Sequence, residues 1–339
     1  LADALILSRG GIITSPFGVE LDTQWKPDNI HELIDDTAPM ARWEPLIRFN
    51  VCLLELISDV AFELLPQGAA RPTGARLVHR SLKTNWVSTA IVQLDRPEDP
   101  QLFADQLDLV FNWARYREDR LNEIISQLVP QTPFWSAVAN LQPTRRKYTY
   151  ELIELTLAFA SMAAMRFKQA FNCPRPVAHT AKIQPMVPTP EHSTFPSGHA
   201  TEAYAVAHVL GCLIPGTNGA AIWSQLNALA GRIATNRTVA GVHFPMDSMA
   251  GRVLGATVGE YLAYMCSTTQ IPGMARPNKA GAHAGWLERT FTTTGMSTKK
   301  DFLPSDDLTA EGQEHDPLKG VARKGVLKWM WDQAVLEWN

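Results

Sequence analysis

Apolar residues recur at three- and four-residue steps in segments 43–65, 101–128, 148–171, 197–213, 222–239, 245–264 and 320–338. That spacing lines one face of an α-helix and leaves little of the chain for strands. Leu152, Leu155, Ala160, Ala163, Ala164 and Phe167 form such a face in the third segment. In the sixth, Gly251, Gly255 and Gly259 repeat at every fourth residue, which lets a second helix approach closely. Segment 84–94 reads equally as strand or loop, and no alternation of strand and helix is visible. The pattern predicts an all-α fold of packed helical bundles. It divides into an N-terminal helical region (1–145), a central helical core (146–267) and a C-terminal wrapping segment with a closing helix (268–339), within one compact domain. Residues 1–40, punctuated by Gly and Pro, read as irregular.

The charge balance, 31 − 34 = −3, carries no basic bias toward nucleic acid or an anionic membrane. Any anion site must therefore come from a local cluster. Cys52, Cys173, Cys212 and Cys266 are far apart and show no metal-type spacing; four isolated thiols favour a reducing compartment. The apolar run at 4–7 lacks a basic flank and does not read as an intact signal peptide. The best apolar stretches (152–165, 200–213 and 253–265) are too short to span a membrane or carry Glu154, Glu202 or Glu260. The expectation is a soluble protein, cytoplasmic or exported, with a homodimer left open.

Three segments bring polar chemistry into this apolar background. In the turn 195–201, Ser197 is a good N-cap, Gly198 permits close backbone approach, and His199 falls in the first turn of the following helix. Lys168 and Arg175-Pro176 bracket the end of another helix, followed by a Pro-rich loop. Asn236-Arg237, His243 and Asp247 form the third group. Each alone reads as a capped helix, a solvated charge or a loop residue. Together, Lys168, Arg175 and Arg237 supply three cations, and Ser197 and Gly198 supply neutral donors, for the equatorial oxygens of a phosphate-like centre. His199 and His243 remain for its two apical positions. Asp247, one helical turn after His243, can fix the ring tautomer. The charged cluster 114–120 reads as a solvated helix face, or as a second layer in which Asp119 or Arg120 steadies another charge. His208 reads as a core or partner-facing residue and His179 as a loop residue near the mouth; His31, His79, His283 and His315 read as surface.

The pattern Lys-x6-Arg-Pro, Pro-Ser-Gly-His and Arg-x5-His-x3-Asp resembles the type 2 phosphatidic acid phosphatase superfamily, which includes bacterial acid phosphatases and vanadium-dependent haloperoxidases. The likeness covers about residues 150–262. It implies a helical bundle of that type, with His199, His243 and Asp247 as catalytic residues and Lys168, Arg175, Ser197, Gly198 and Arg237 binding the oxyanion. In a haloperoxidase, vanadate is bonded to His243, and halide is oxidised by hydrogen peroxide to hypohalous acid. In a phosphatase, His243 attacks a phosphate ester and His199 protonates the leaving oxygen. The resemblance favours the first, acting on bromide or iodide rather than chloride, with a soluble acid phosphatase as the alternative. His192 stands where bromoperoxidases carry a second His, and Met165 stands where similar haloperoxidases have Trp. Both are candidate halide or pocket residues. Asn236 replaces the Ser usual in phosphatases.

Overall fold

A computed structural model describes residues 38–66, 68, 71–80, 86–129, 131–215, 217–266, 285–304, 313–319 and 325–338. The irregular reading of 1–40, with His31, and the start of the wrapping segment, with His283, lie largely outside them. The chain divides into Leu1–Pro39 and Met40–Asn339, and the helical bundle and its sheets belong to the second unit.

Three helices surround one central helix. The central α6 (Gly198–Leu213) is buried on nearly every side. It packs against α5 (Lys147–Phe171), α7 (Thr217–Val239) and α8 (Pro245–Cys266). The glycines of α8 allow this. A Cβ on Gly255 would stand 2.2 Å from the Thr201 carbonyl oxygen, and one on Gly251 2.7 Å from that of Ser197. The α6 and α8 backbones therefore touch where any side chain would separate them. Around them stand α1 (Pro45–Ser58), α2 (Pro100–Trp113), α3 (Arg117–Ser126), α4 (Thr132–Ala139) and α9 (Val326–Leu336). Trp331 of α9 is buried in the core shared by α5 and α8.

The fold is not all-α. Helix accounts for 60% of it, but strands account for 10% and form a four-stranded and a two-stranded sheet. In the larger, β1 (Val60–Leu65), β2 (Gly74–His79) and β3 (Thr89–Asp95) pair antiparallel in that order. After the two-residue β4 (Trp286–Leu287), β5 (Arg289–Phe291) adds to β3 in parallel. The segment read as one helix over 43–65 ends at Ser58. Ile57, Val60, Ala61 and Leu64 fit a helical step, yet Val60–Leu65 forms a strand, half-buried along its whole length. Its backbone groups find partners on β2, where Glu63 faces Arg76 and pairs with it at 2.8 Å. Those partners are distant in sequence, so a local period cannot reveal them. Of segment 84–94, residues 89–94 resolve the same way, in β3, while 84 and 85 lie outside the described residues.

The sheet braces the end of α5. Phe62 meets Phe167 edge to face at 5.1 Å, and Arg96 Nε donates to the Phe171 carbonyl at 3.0 Å. Phe171, Phe195 and Phe291 follow in ring contact at 5.9 and 5.8 Å, which links β5 to the turn before α6. His79, read as surface, is buried here with Nδ1 2.9 Å from the Tyr261 hydroxyl. No described helix is long and apolar enough to cross a membrane.

Candidate active site

Four element ends converge. α5 terminates at Asn172, whose left-handed backbone (φ 47°) turns the chain into the Pro-rich loop. α6 begins at Ser197, which caps it by accepting from the Ala200 amide, after a cis Phe195–Pro196 peptide. α7 ends just beyond Arg237. Gly241, at φ +79°, then turns the chain into α8. Phe244 precedes Pro245, and its amide donates to Asp247 Oδ2 at 2.9 Å, a carboxylate reaching back to the first free N–H of the helix.

A cavity of about 180 Å³ opens at this junction. Lys168, Arg175, Gly198, His199, Arg237 and His243 line it, with Met165 and His192 at its edge. Ser197 and Asp247 are fully buried behind that wall, tied together by the Ser197 amide donating to the Asp247 carbonyl at 2.9 Å. Met165 is 41% exposed and leaves that side open.

Main-chain carbonyls, not carboxylates, hold two of the three cations. Lys168 Nζ donates to Ser193 O at 2.7 Å and Thr194 O at 2.9 Å. Arg175 donates from Nε to His192 O at 3.0 Å and from Nη1 to Val242 O at 2.8 Å; its Nη2 lies 3.2 Å from His192 Nδ1. Arg237 donates to Ile124 O and to the Gln127 amide oxygen. Among the described residues its buried Nε has no partner. Burial and the neighbouring Arg175 push the Lys168 ammonium down to about 7; burial pushes Arg237 down to about 10. A site that so disfavours its own positive charges gains from a bound anion that restores them.

The two imidazoles differ. His243 Nδ1 lies 3.0 Å from Asp247 Oδ2 and 3.2 Å from Thr194 Oγ1, and the Thr194 hydroxyl donates to the same Oδ2 at 2.5 Å. Burial, then Lys168 and Arg175, hold His243 well below its ordinary value, so the ring is neutral. With Nδ1–H given to the carboxylate, the Nε2 lone pair faces the cavity. Burial raises Asp247 to about 6, against the Thr194 and Phe244 bonds that pull it down. His199 lies 3.1 Å from the Gln127 carbonyl through Nε2, which must carry the proton; burial, then Arg237, lower this ring to about 3.

Residues 152–271 match the family model of the PAP2 superfamily. Among curated proteins, none matches the chain. All three motif groups lie inside the PAP2 segment, whereas two partners that complete the site were not singled out from the sequence. Gln127 sits outside it, on the turn after α3, and Thr194 inside it. Both are ordinary polar residues that no spacing marks. The cluster 114–120 is not merely solvated. Arg117 donates to the carbonyls of Ile183, Gln184 and Val239, while Arg120 donates to Asn236 Oδ1, whose amide donates to Gln127. Asn236 thus serves as a bridge that a serine is too short to make. His179 packs against Phe103 and Phe244, and His208 against Trp223 within the core. The described residues hold no His/Cys/Asp/Glu cluster of metal-binding type.

Proposed function

We propose that the PAP2 cradle works as that of a vanadate-dependent haloperoxidase, oxidising halide with hydrogen peroxide. The observation that carries the oxyanion chemistry is the neutral His243. Its Nδ1 is held by Asp247 and Thr194 and its Nε2 is turned to a cavity walled by three buried cations. The donor set fits vanadate: an Arg237 Nε without a partner among the described residues, a Gly198 whose missing Cβ leaves only Lys168 Cε of those residues within 4 Å, and cations hydrogen-bonded to carbonyl and amide oxygens rather than to carboxylates. Lys168, Arg175, Arg237 and Gly198 would hold its oxygens, with Ser197 buried behind them, and His243 the vanadium. Vanadate so bound would supply a Lewis-acidic centre that activates peroxide toward halide.

The chain's own residues then have defined work. Asp247 and Thr194 keep the proton on Nδ1 of His243. The cations stabilise added negative charge. His199 moves a proton at Nδ1 while Nε2 stays anchored on Gln127. His192, on the rim beside Arg175, supports the halide branch.

One feature favours a second reading, a phosphate monoesterase. Met165 leaves the cavity open where a bulkier wall would close it, which suits a leaving group. A bound phosphate dianion would favour the charged His199 ring, protonated at Nδ1 as well; His243 Nε2 would attack phosphorus as the ester oxygen departs with that Nδ1 proton, and water, giving a proton back to Nδ1, would then release phosphate.

Paired assays on protein stripped of bound oxyanion separate the two. Bromide oxidation by peroxide, restored by added vanadate, is the expected result. Aryl phosphate hydrolysis blocked by vanadate, with no halide oxidation, overturns it in favour of the esterase.

A further inference from the structure

Besides its open side at Met165, the cavity borders a second space. It shares Leu128, Ser161, His199 and Glu202 with an outer vestibule of about 400 Å³. One stripe of α5 runs along both. Glu154, Leu157 and Ala158 line the vestibule, Ser161 the junction, and Met165 and Lys168 the inner cavity. From Glu154 to Lys168 this path spans about 21 Å of helix. Across from it, α6 contributes Gly198 and His199 to the floor and Glu202, one turn on, to the junction.

Glu202 lines both spaces, at the boundary between vestibule and cradle. Ser161 hydrogen-bonds its carboxyl. The charged groups lining the two spaces around it are Lys168 and Glu154 on α5 and Arg175 and Arg237 across the cavity. The imidazole of His199 beside it is neutral. The vestibule wall is otherwise largely apolar, with Leu128 and Val129 exposed at its mouth. The path thus changes character along its length: largely apolar with Glu154 outside, Glu202 at the boundary, cations within.

We propose that Glu202 sets specificity for the organic part of the substrate, admitting an apolar body that bears an ammonium or another hydrogen-bond donor and rejecting one that bears a further carboxylate or phosphate. This rests on the reading of the cradle as an oxyanion site and holds whether the organic group is a peroxidase substrate or an ester's leaving group. A carboxylate held at a partly desolvated boundary repels an incoming anion and attracts a cation more strongly than it would in bulk water. Burial raises this carboxyl to about 7, so it is largely ionised at pH 8.

The test is equilibrium binding to the intact chain at pH 8, by calorimetry, of phenylphosphonate and its 4-aminomethyl and 4-carboxy derivatives. The expected result is that the aminomethyl compound binds at least about tenfold more tightly than the carboxy compound. Glu202→Gln should reduce that ratio to within about twofold, and Glu202→Asp should preserve most of it. Equal affinities in the unaltered protein overturn the proposal without any variant, and so does an undiminished ratio in Glu202→Gln. A protein that binds neither inorganic phosphate nor phenylphosphonate refutes the oxyanion reading instead, which is a different outcome from binding all three phosphonates alike.

Discussion

The amide oxygen of Gln127 lies 3.0 Å from Nη2 of Arg237, and the carbonyl of the same glutamine lies 3.1 Å from His199 Nε2. One residue beyond the PAP2 segment therefore positions a cradle cation by its side chain and the facing imidazole by its backbone. Gln127→Ala should weaken phosphate binding about tenfold through loss of a hydrogen bond to a buried charge, while leaving His199 anchored. Gln127→Glu should weaken it further, because a carboxylate at that point neutralises Arg237. Calorimetric titration with phosphate checks both; tighter binding in Gln127→Glu would contradict this assignment.

Asp247 and Thr194 act on the same imidazole nitrogen, and their removal should differ in size. Asp247→Asn offers an N–H or a weaker acceptor to Nδ1 and upsets the tautomer. Turnover, of halide or of aryl phosphate, should fall on the order of 10³-fold. Thr194→Val removes one bond to Asp247 Oδ2 and should cost about tenfold. His243→Ala should abolish turnover of either kind, and retained activity would place the site elsewhere.

Lys168 offers a proton count. Its ammonium sits at about 7 because of burial and Arg175. An oxyanion beside it favours the charged form and raises that value. At pH 8.5 the unliganded lysine is largely neutral and the liganded one charged, so phosphate binding should take up about one proton. Below pH 6 both forms are charged and the lysine's uptake vanishes. Calorimetry in buffers of different ionisation enthalpy measures this directly, and Lys168→Met should abolish the uptake.

Gly255→Ala tests the helix contact that supports the site. A methyl 2.2 Å from the Thr201 carbonyl oxygen cannot be accommodated without moving α6 or α8. A loss of about 3 kcal/mol is expected in urea unfolding, whereas Met165→Ala, at an exposed position, should be close to neutral.

The cradle was legible because its donors lie at helix ends. Lys168, Ser197 to His199, Arg237 and Asp247 are placed by caps and turns that the sequence displays, and their spacing is fixed by helical geometry. The glycine repeat of α8 was legible for the same local reason. The sheet was not. β5 joins β3 across about two hundred residues, and β1 imitates a helical step, so only pairing reveals either. Gln127 and Thr194 escaped because a glutamine and a threonine are common, and half of what Gln127 does is done by its carbonyl.

Lys168 and Arg175 rest on the carbonyls of Ser193, Thr194, His192 and Val242. Every residue type presents that oxygen, so side-chain replacement at 193 or 242 leaves the hydrogen bonds to the cations in place, and replacement at 192 removes only the imidazole contact to Arg175. The scaffold of the cradle is thus largely silent to alanine scanning. It answers instead to chemical editing of the main chain: a thioamide at 193 or 194 would weaken the acceptor without altering any side chain.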